Sequence, residues 1–196
     1  MIRRASVADV PQIAEIINDA ADYGLMLHRS RGYLYERLRD YQVAVEDENP
    51  SKVTGVCGLQ ILWGNLAELC SLAVAPACRG RGLGRALVEA VVAEARALQI
   101  RRVMTLTYEQ AFFERLGFEV VDRQTLPLKV WTQCIHCAKQ HACDEIAMVR
   151  INEEVPDLAP PPPAPEAERY VMPVVLRRTP SGTPERTPGV MSHRPE

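Results

Sequence analysis

The sequence has no long hydrophobic run. None approaches the roughly 18 apolar residues that a membrane-spanning helix needs. The opening residues, MIRRASVADV, lack the apolar core of a secretory signal. An excess of either charge is missing as well. There are 23 Lys and Arg against 25 Asp and Glu, and up to Asn152 the two signs balance at 18 each. That excludes the basic footprint of a nucleic-acid binder, so neither a nucleic-acid nor a membrane partner is expected. Aromatic residues are few, with three Phe and two Trp, yet 47% of the chain is apolar, enough for a core. A cytoplasmic setting is expected. There the six cysteines would be reduced, metal-bound or buried rather than disulfide-bonded.

Proline is scarce where a fold is expected and dense afterwards. Eleven of the fifteen prolines lie between Pro156 and Glu196. Proline has no backbone donor and cannot join a ladder or a helix interior. Residues 153–196 therefore read as a mostly disordered extension with some polyproline II, and 1–152 as one domain. The short apolar stretch Tyr170–Leu176 is the one part of the tail with the character to dock.

Within 1–152 the pattern is mixed α and β. Ile2–Ala5 reads as a strand, and Ser6-Val7-Ala8-Asp9 as a capping box before a helix with Ile13, Ile16, Ile17, Ala20 and Ala21 on one face. A second helix is expected over Gly32–Arg39. Strands follow at 42–46, 54–63 and 66–74, then a helix over Arg85–Leu98. A strand at 103–107, a short helix at 111–116, and strands at 118–121 and 145–151 complete the domain.

One turn raises a chemical question. In ACRGRGLGRALV, residues 77–88, three glycines alternate with arginines between a strand and a helix. Backbone N–H groups at a helix start carry partial positive charge and bind anions. Glycine lets the backbone come close, and arginine adds charge. No Gly-Lys-Ser/Thr follows, so this is not a P-loop.

At this point the sequence resembles the GNAT superfamily of acetyl-CoA-dependent N-acetyltransferases. The match is Arg79-Gly80-Arg81-Gly82-Leu83-Gly84, preceded by Ser71–Pro76. A second marker is Phe113-Glu114-Arg115-Leu116-Gly117-Phe118. The resemblance implies an α+β fold with a central mixed, mostly antiparallel sheet flanked by helices. It implies that amides from about Arg79 to Arg85 hold the pyrophosphate of acetyl-CoA. It further implies that the backbone of Leu72, Ala73 and Val74 pairs with the pantetheine arm where two strands splay, with Phe113 beside the coenzyme.

Acetyl transfer needs an amine stripped of a proton, a polarised carbonyl and a proton for the leaving thiolate. Many family members carry a tyrosine where Phe113 stands, and phenylalanine has no proton to give. Tyr108 is the nearest substitute as acid, or else an aromatic that caps the strand end. Glu68 is the base candidate. Strand alternation puts Glu68, Cys70, Leu72 and Val74 on one face, where burial would raise a carboxyl's pKa. The alternative is a solvent-facing or arginine-paired carboxylate. Cys70 reads as packing rather than as a nucleophile.

Further stretches resemble the short, stand-alone bacterial N-acetylglutamate synthases. They are Gly24–Ser30, Glu68–Leu72, Thr105–Tyr108 and Leu126–Cys134 leading into Cys143–Met148. Those enzymes usually carry proline where His28 stands. The resemblance implies acetyl-CoA as cosubstrate and L-glutamate as acceptor, in a direct transfer. A dicarboxylate acceptor calls for cations, and Arg29, Lys129 and the hydroxyl of Ser30 are the candidates. Another amine acceptor, or a non-catalytic acetyl-CoA-binding regulator, are the alternatives. Monomer and homodimer both remain open.

Between Cys134 and Cys143, three thiols and two imidazoles fall within ten residues. That density fits a structural zinc site. Cys134, Cys137, His141 and Cys143 form a Cys3His set, with His136 as the alternative fourth ligand. Reduced cysteines in a turn, or a redox pair, are the other readings.

Overall fold

A computed structural model describes residues 1–126 and 143–157, with backbone alone at 124, together with the backbone of residues 177–178 and 184–185. The chain forms two units, Met1–Asp157 and Leu158–Glu196. In the second, the described backbone is a small antiparallel pair, Arg177–Arg178 against Pro184–Glu185.

The described residues of the first unit are built on seven strands. They are β1 (Ile2–Arg4), β2 (Tyr41–Val45), β3 (Val53–Trp63), β4 (Leu66–Val74), β5 (Arg102–Thr107), β6 (Glu119–Val120) and β7 (Ile146–Ile151). Their order in the sheet is β1-β2-β3-β4-β5-β7-β6. Every neighbouring pair is antiparallel except β4 and β5. That parallel pair needs a crossover, supplied by the helix over Leu83–Ala97.

Among the described residues four helices flank the sheet: α1 (Val10–Asp22), α2 (Arg31–Glu36), α3 (Leu83–Ala97) and α4 (Gln110–Glu114). The expected second helix is shorter than the sequence indicated, with a separate 3-10 turn at Leu38–Asp40. Helix α1 buries Val10, Ile13, Ala14 and Ile17, at the three- and four-residue spacing of one face. It packs with Leu34, Tyr41, Val43, Val56 and Ala73 on one side of the sheet. Helix α3 buries Leu87, Val88, Val91, Val92 and Ala95 on the other side, against Ala67, Leu69, Val103 and Met148. A third cluster, including Leu62, Leu66, Met104, Ala147 and Val149, covers the β5–β7 end. Leu66 alternates with Glu68 and Cys70, so this cluster shares the α1 face.

The N-terminal cap is locked from two directions. The backbone N–H and hydroxyl of Ser6 both donate to the Asp9 carboxylate at 2.7 Å, and Arg3 donates to it twice, at 2.7 and 2.9 Å. The box closes a 3-10 turn, Val7–Asp9, that runs straight into α1.

Two irregularities interrupt β4. The first is a bulge. Gly58 pairs with Cys70 and Val56 with Ala73, so three steps on β4 face two on β3, and Ser71 takes a φ of 52°. The bulge reverses the side-chain alternation. Cys70 sits beside Tyr41 on the α1 face, whereas Leu72 and Val74 pack on the α3 core. The simple alternation expected from sequence, with Leu72 and Val74 beside Glu68, is corrected accordingly. The second is a splay. The β4–β5 ladder covers only Leu66–Glu68 against Arg102–Met104. Beyond Glu68 the two strands part.

Candidate active site

A cleft of about 490 Å³ opens at the splay. The loop between α1 and α2 forms one wall, and the last turn of β5 with α4 the other. Of the residues singled out from sequence, Arg29, Glu68, Tyr108 and Phe113 line it, with Leu72, Ala73 and Val74 along its floor. Arg79 and Cys143 reach its rim.

The glycine turn stands at the α3 end. Gly80 and Gly82 have φ of 76° and 78°, and Gly82 caps α3. A Cβ at either position would meet no atom within 4 Å. Backbone conformation, not crowding, therefore demands glycine. The first intrahelical bond runs from Ala86 N–H to Gly82 C=O at 3.0 Å. The amides of Leu83, Gly84 and Arg85 thus head the helix with no acceptor inside it. Arg79 Nε donates to Val74 C=O at 3.1 Å, tying the loop to the end of β4. Phe112 packs beside the first turn of α3, near Gly84. Phe113 is buried, edge-on to both Phe112 and Phe118, at ring separations of 5.0 and 5.2 Å.

The opposite face of the sheet carries the ionisable groups. Glu68 projects to the α1 side and lines the cleft. Burial pushes its carboxyl up to about 7, against a smaller downward pull from Arg29 and a further push from Glu145. Glu145 alternates with Ala147 and Val149 and so faces the same way. Burial raises the Cys70 thiol to about 12, and the nearby Glu68 charge adds to that. A thiol so placed is neutral and not a nucleophile. Tyr108 donates its hydroxyl hydrogen bond to Asp144 at 2.9 Å.

Several residues of this face gave no sequence signal. Arg123, on a 3-10 turn, lines the cleft and donates to Cys143 C=O at 3.2 Å. Tyr33 lies under the Arg29 guanidinium, 4.5 Å from carbon to ring centre. Asn18 bonds the Arg29 backbone. Ser30 spends its hydroxyl on the α2 cap, accepting from Tyr33 N–H at 3.1 Å, and is not among the cleft-lining residues. Lys129, Cys134, His136, Cys137 and His141 lie outside the described residues. Cys143 is described as a free thiol, its Sγ 3.6 Å from a Glu145 carboxylate oxygen.

A helix-capped anion cradle on one face, a raised carboxyl on the other and a splay between them define a group-transfer site. The comparisons agree with that class. The Acetyltransferase (GNAT) family model matches residues 12–118. An N-acetyltransferase of Chlorobaculum tepidum is 38% identical over 149 residues, covering 76% of this chain and 94% of its own. An amino-acid acetyltransferase of Mycobacterium tuberculosis is 35% identical over 133 residues, covering 68% and 76%. Among solved structures, a Mycobacterium tuberculosis protein in complex with CoA and NLQ superposes with a TM-score of 0.69 at 30% identity, over 77% of this chain and 98% of that one. The N-acetylglutamate synthase of Neisseria gonorrhoeae, complexed with coenzyme A and N-acetyl-glutamate, gives 0.69 at 25% identity, over 77% of this chain and 34% of that one. The chain belongs to the GNAT acetyltransferase family. It is an acetyl-CoA-dependent acyltransferase.

Proposed function

We propose that the protein transfers the acetyl group of acetyl-CoA to the α-amine of L-glutamate. The observation that carries this reading is that Glu68, raised to about 7, and Arg29 line the same cleft at the splay, opposite the α3 cradle. The Neisseria synthase, similar to this chain in fold, binds coenzyme A and N-acetyl-glutamate, which supports the same acceptor here.

The geometry supports the following course for the reaction. Amides at the head of α3 grip the pyrophosphate, and the unpaired edge of β4 past Glu68 offers its backbone to the pantetheine arm. The thioester then lies in the splay. Arg29 holds an acceptor carboxylate. Glu68, ionised above pH 7, takes a proton from the ammonium, directly or through one water. The amine nitrogen attacks the thioester carbon, the C–S bond breaks, and the thiolate leaves. Tyr108 can protonate it once its hydroxyl rotates away from Asp144, and the second proton of the attacking nitrogen passes through water to the phenolate left on Tyr108. The attack is direct, and Cys70, held as a thiol, does not serve as a nucleophile.

Glu145 favours a second reading. A carboxylate on the acceptor face repels a second acceptor carboxylate and suits a neutral side chain better. Coenzyme A release should therefore be measured with L-glutamate, L-glutamine, other amino acids and a polyamine. L-Glutamate is expected to give the highest kcat/KM, with Arg29→Ala raising its KM at least tenfold. A higher kcat/KM for another amine would retain the acyltransferase and overturn the glutamate assignment.

A further inference from the structure

A long arginine on a loop is a poor carboxylate ligand unless something holds it, since ordering it on binding costs affinity. Arg29 is on such a loop, between α1 and α2, yet two contacts fix it. Asn18, on the rigid body of α1, reads both sides of the Arg29 backbone. Its Oδ1 accepts the Arg29 N–H at 2.8 Å, and its Nδ2 donates to the Arg29 C=O at 3.1 Å. This copies one rung of a strand ladder using a side-chain amide. Farther out, the guanidinium rests on the Tyr33 ring at 4.5 Å, and Arg37 stands 5.6 Å from the same ring centre. Tyr33 is itself packed against the α1-side core. Tyr33 and Arg37 are four apart and share one side of α2, and Arg29, just before the extended Ser30 cap, reaches the same ring.

We propose that Asn18 and Tyr33 are positioning residues that set acceptor affinity by holding the Arg29 guanidinium in the cleft. The proposal rests on the reading of Arg29 as the carboxylate ligand. Asn18 fixes where the backbone stands, and Tyr33 fixes where the side chain points. Neither touches the reacting atoms, so their loss should appear in the acceptor KM and not in the chemical step.

Steady-state kinetics of the full chain test this, using whichever of the amines gives the highest kcat/KM. Asn18→Ala and Tyr33→Leu are each expected to raise the acceptor KM at least tenfold. The kcat should stay within threefold and the acetyl-CoA KM within twofold. Tyr33→Phe keeps the ring and should match the wild type. Asn18→Asp keeps the acceptor for the Arg29 N–H, loses the donor, and should fall in between. An acceptor KM within twofold of wild type in both Asn18→Ala and Tyr33→Leu overturns the proposal. So does a matching rise in the acetyl-CoA KM with a lower thermal midpoint, which marks a general structural role. Should Asn18→Ala not fold, the Tyr33→Leu and Tyr33→Phe pair decides. If Arg29→Ala leaves the acceptor KM unchanged, the carboxylate-ligand reading fails. If it raises that KM while Asn18→Ala does not, only the positioning role fails.

Discussion

Glu68 is under two opposing demands. Its carboxyl has an ordinary pKa of 4.5 and is raised to about 7 in the folded protein. Between those values it is protonated when folded and ionised when unfolded. Folding therefore takes up a proton, and stability falls as pH rises from about 4.5 to about 7. The cost above pH 7 is at most roughly 3 kcal/mol, less where cleft water reaches the group. In the proposed reaction the same shift gives a base that works near neutrality. Glu68→Gln should lower kcat by about 100-fold or more while raising the thermal midpoint at pH 8 and leaving it unchanged at pH 4. The wild-type kcat/KM should climb through about pH 7 to a plateau. Asp9 shows the opposite sign. Arg3 and Ser6 hold its carboxyl down at about 2, below the ordinary 3.8. That stability is present above pH 4 and lost as pH falls through about 2. Asp9→Asn should cost about 2 kcal/mol at pH 7, read by denaturant midpoint, and progressively less in acid.

At the scale of elements, the glycine turn and β4 divide the work. A left-handed backbone costs a residue with a Cβ about 1–2 kcal/mol. Gly82→Ala should accordingly distort the head of α3 and raise the acetyl-CoA KM about tenfold, with the acceptor KM unchanged. Isothermal titration with coenzyme A would check this independently. The turn is legible in the sequence because glycine at 80 and 82 is a direct trace of the conformation required. The strands and α3 are legible for a similar reason, since burial on one face leaves a period of two or 3.6. The bulge at Ser71 is not. Serine carries no mark of a φ of 52°, and simple alternation sets Leu72 and Val74 on the wrong face. Asn18 and Arg123 also escape a sequence reading. Their roles depend on contacts between separate elements, and each looks like an ordinary surface residue. Glu68 and Arg29 are legible because a carboxylate in an apolar strand, and an arginine in a distinctive loop, are each costly or specific enough to need a reason.

The first unit carries all the described parts of the site, and its end is fastened. Asn152 is fully buried. It donates to Ile100 C=O at 2.9 Å and accepts from Arg96 Nε at 3.1 Å. Arg101 bonds the carbonyls of Glu153 and Val155, and Val155 is buried. A chain cut after Asp157 is expected to keep its thermal midpoint and its acetyl-CoA turnover. One cut after Arg150 should lose both, since it removes the buried Asn152 amide and Val155. Equal loss in the two truncations would give residues 158–196 a part in the fold.

The splay at the centre of the sheet also bears on how such a molecule can change over generations. In the proposed reaction, coenzyme contacts gather on the α3 face and acceptor contacts on the α1 face. The two meet only along a few residues of β4. On that reading, substitutions at cleft positions such as 29, 123 or 145 would redirect which amine is taken without disturbing the grip on the common donor. The architecture keeps one half of the reaction constant and leaves the other half open to selection.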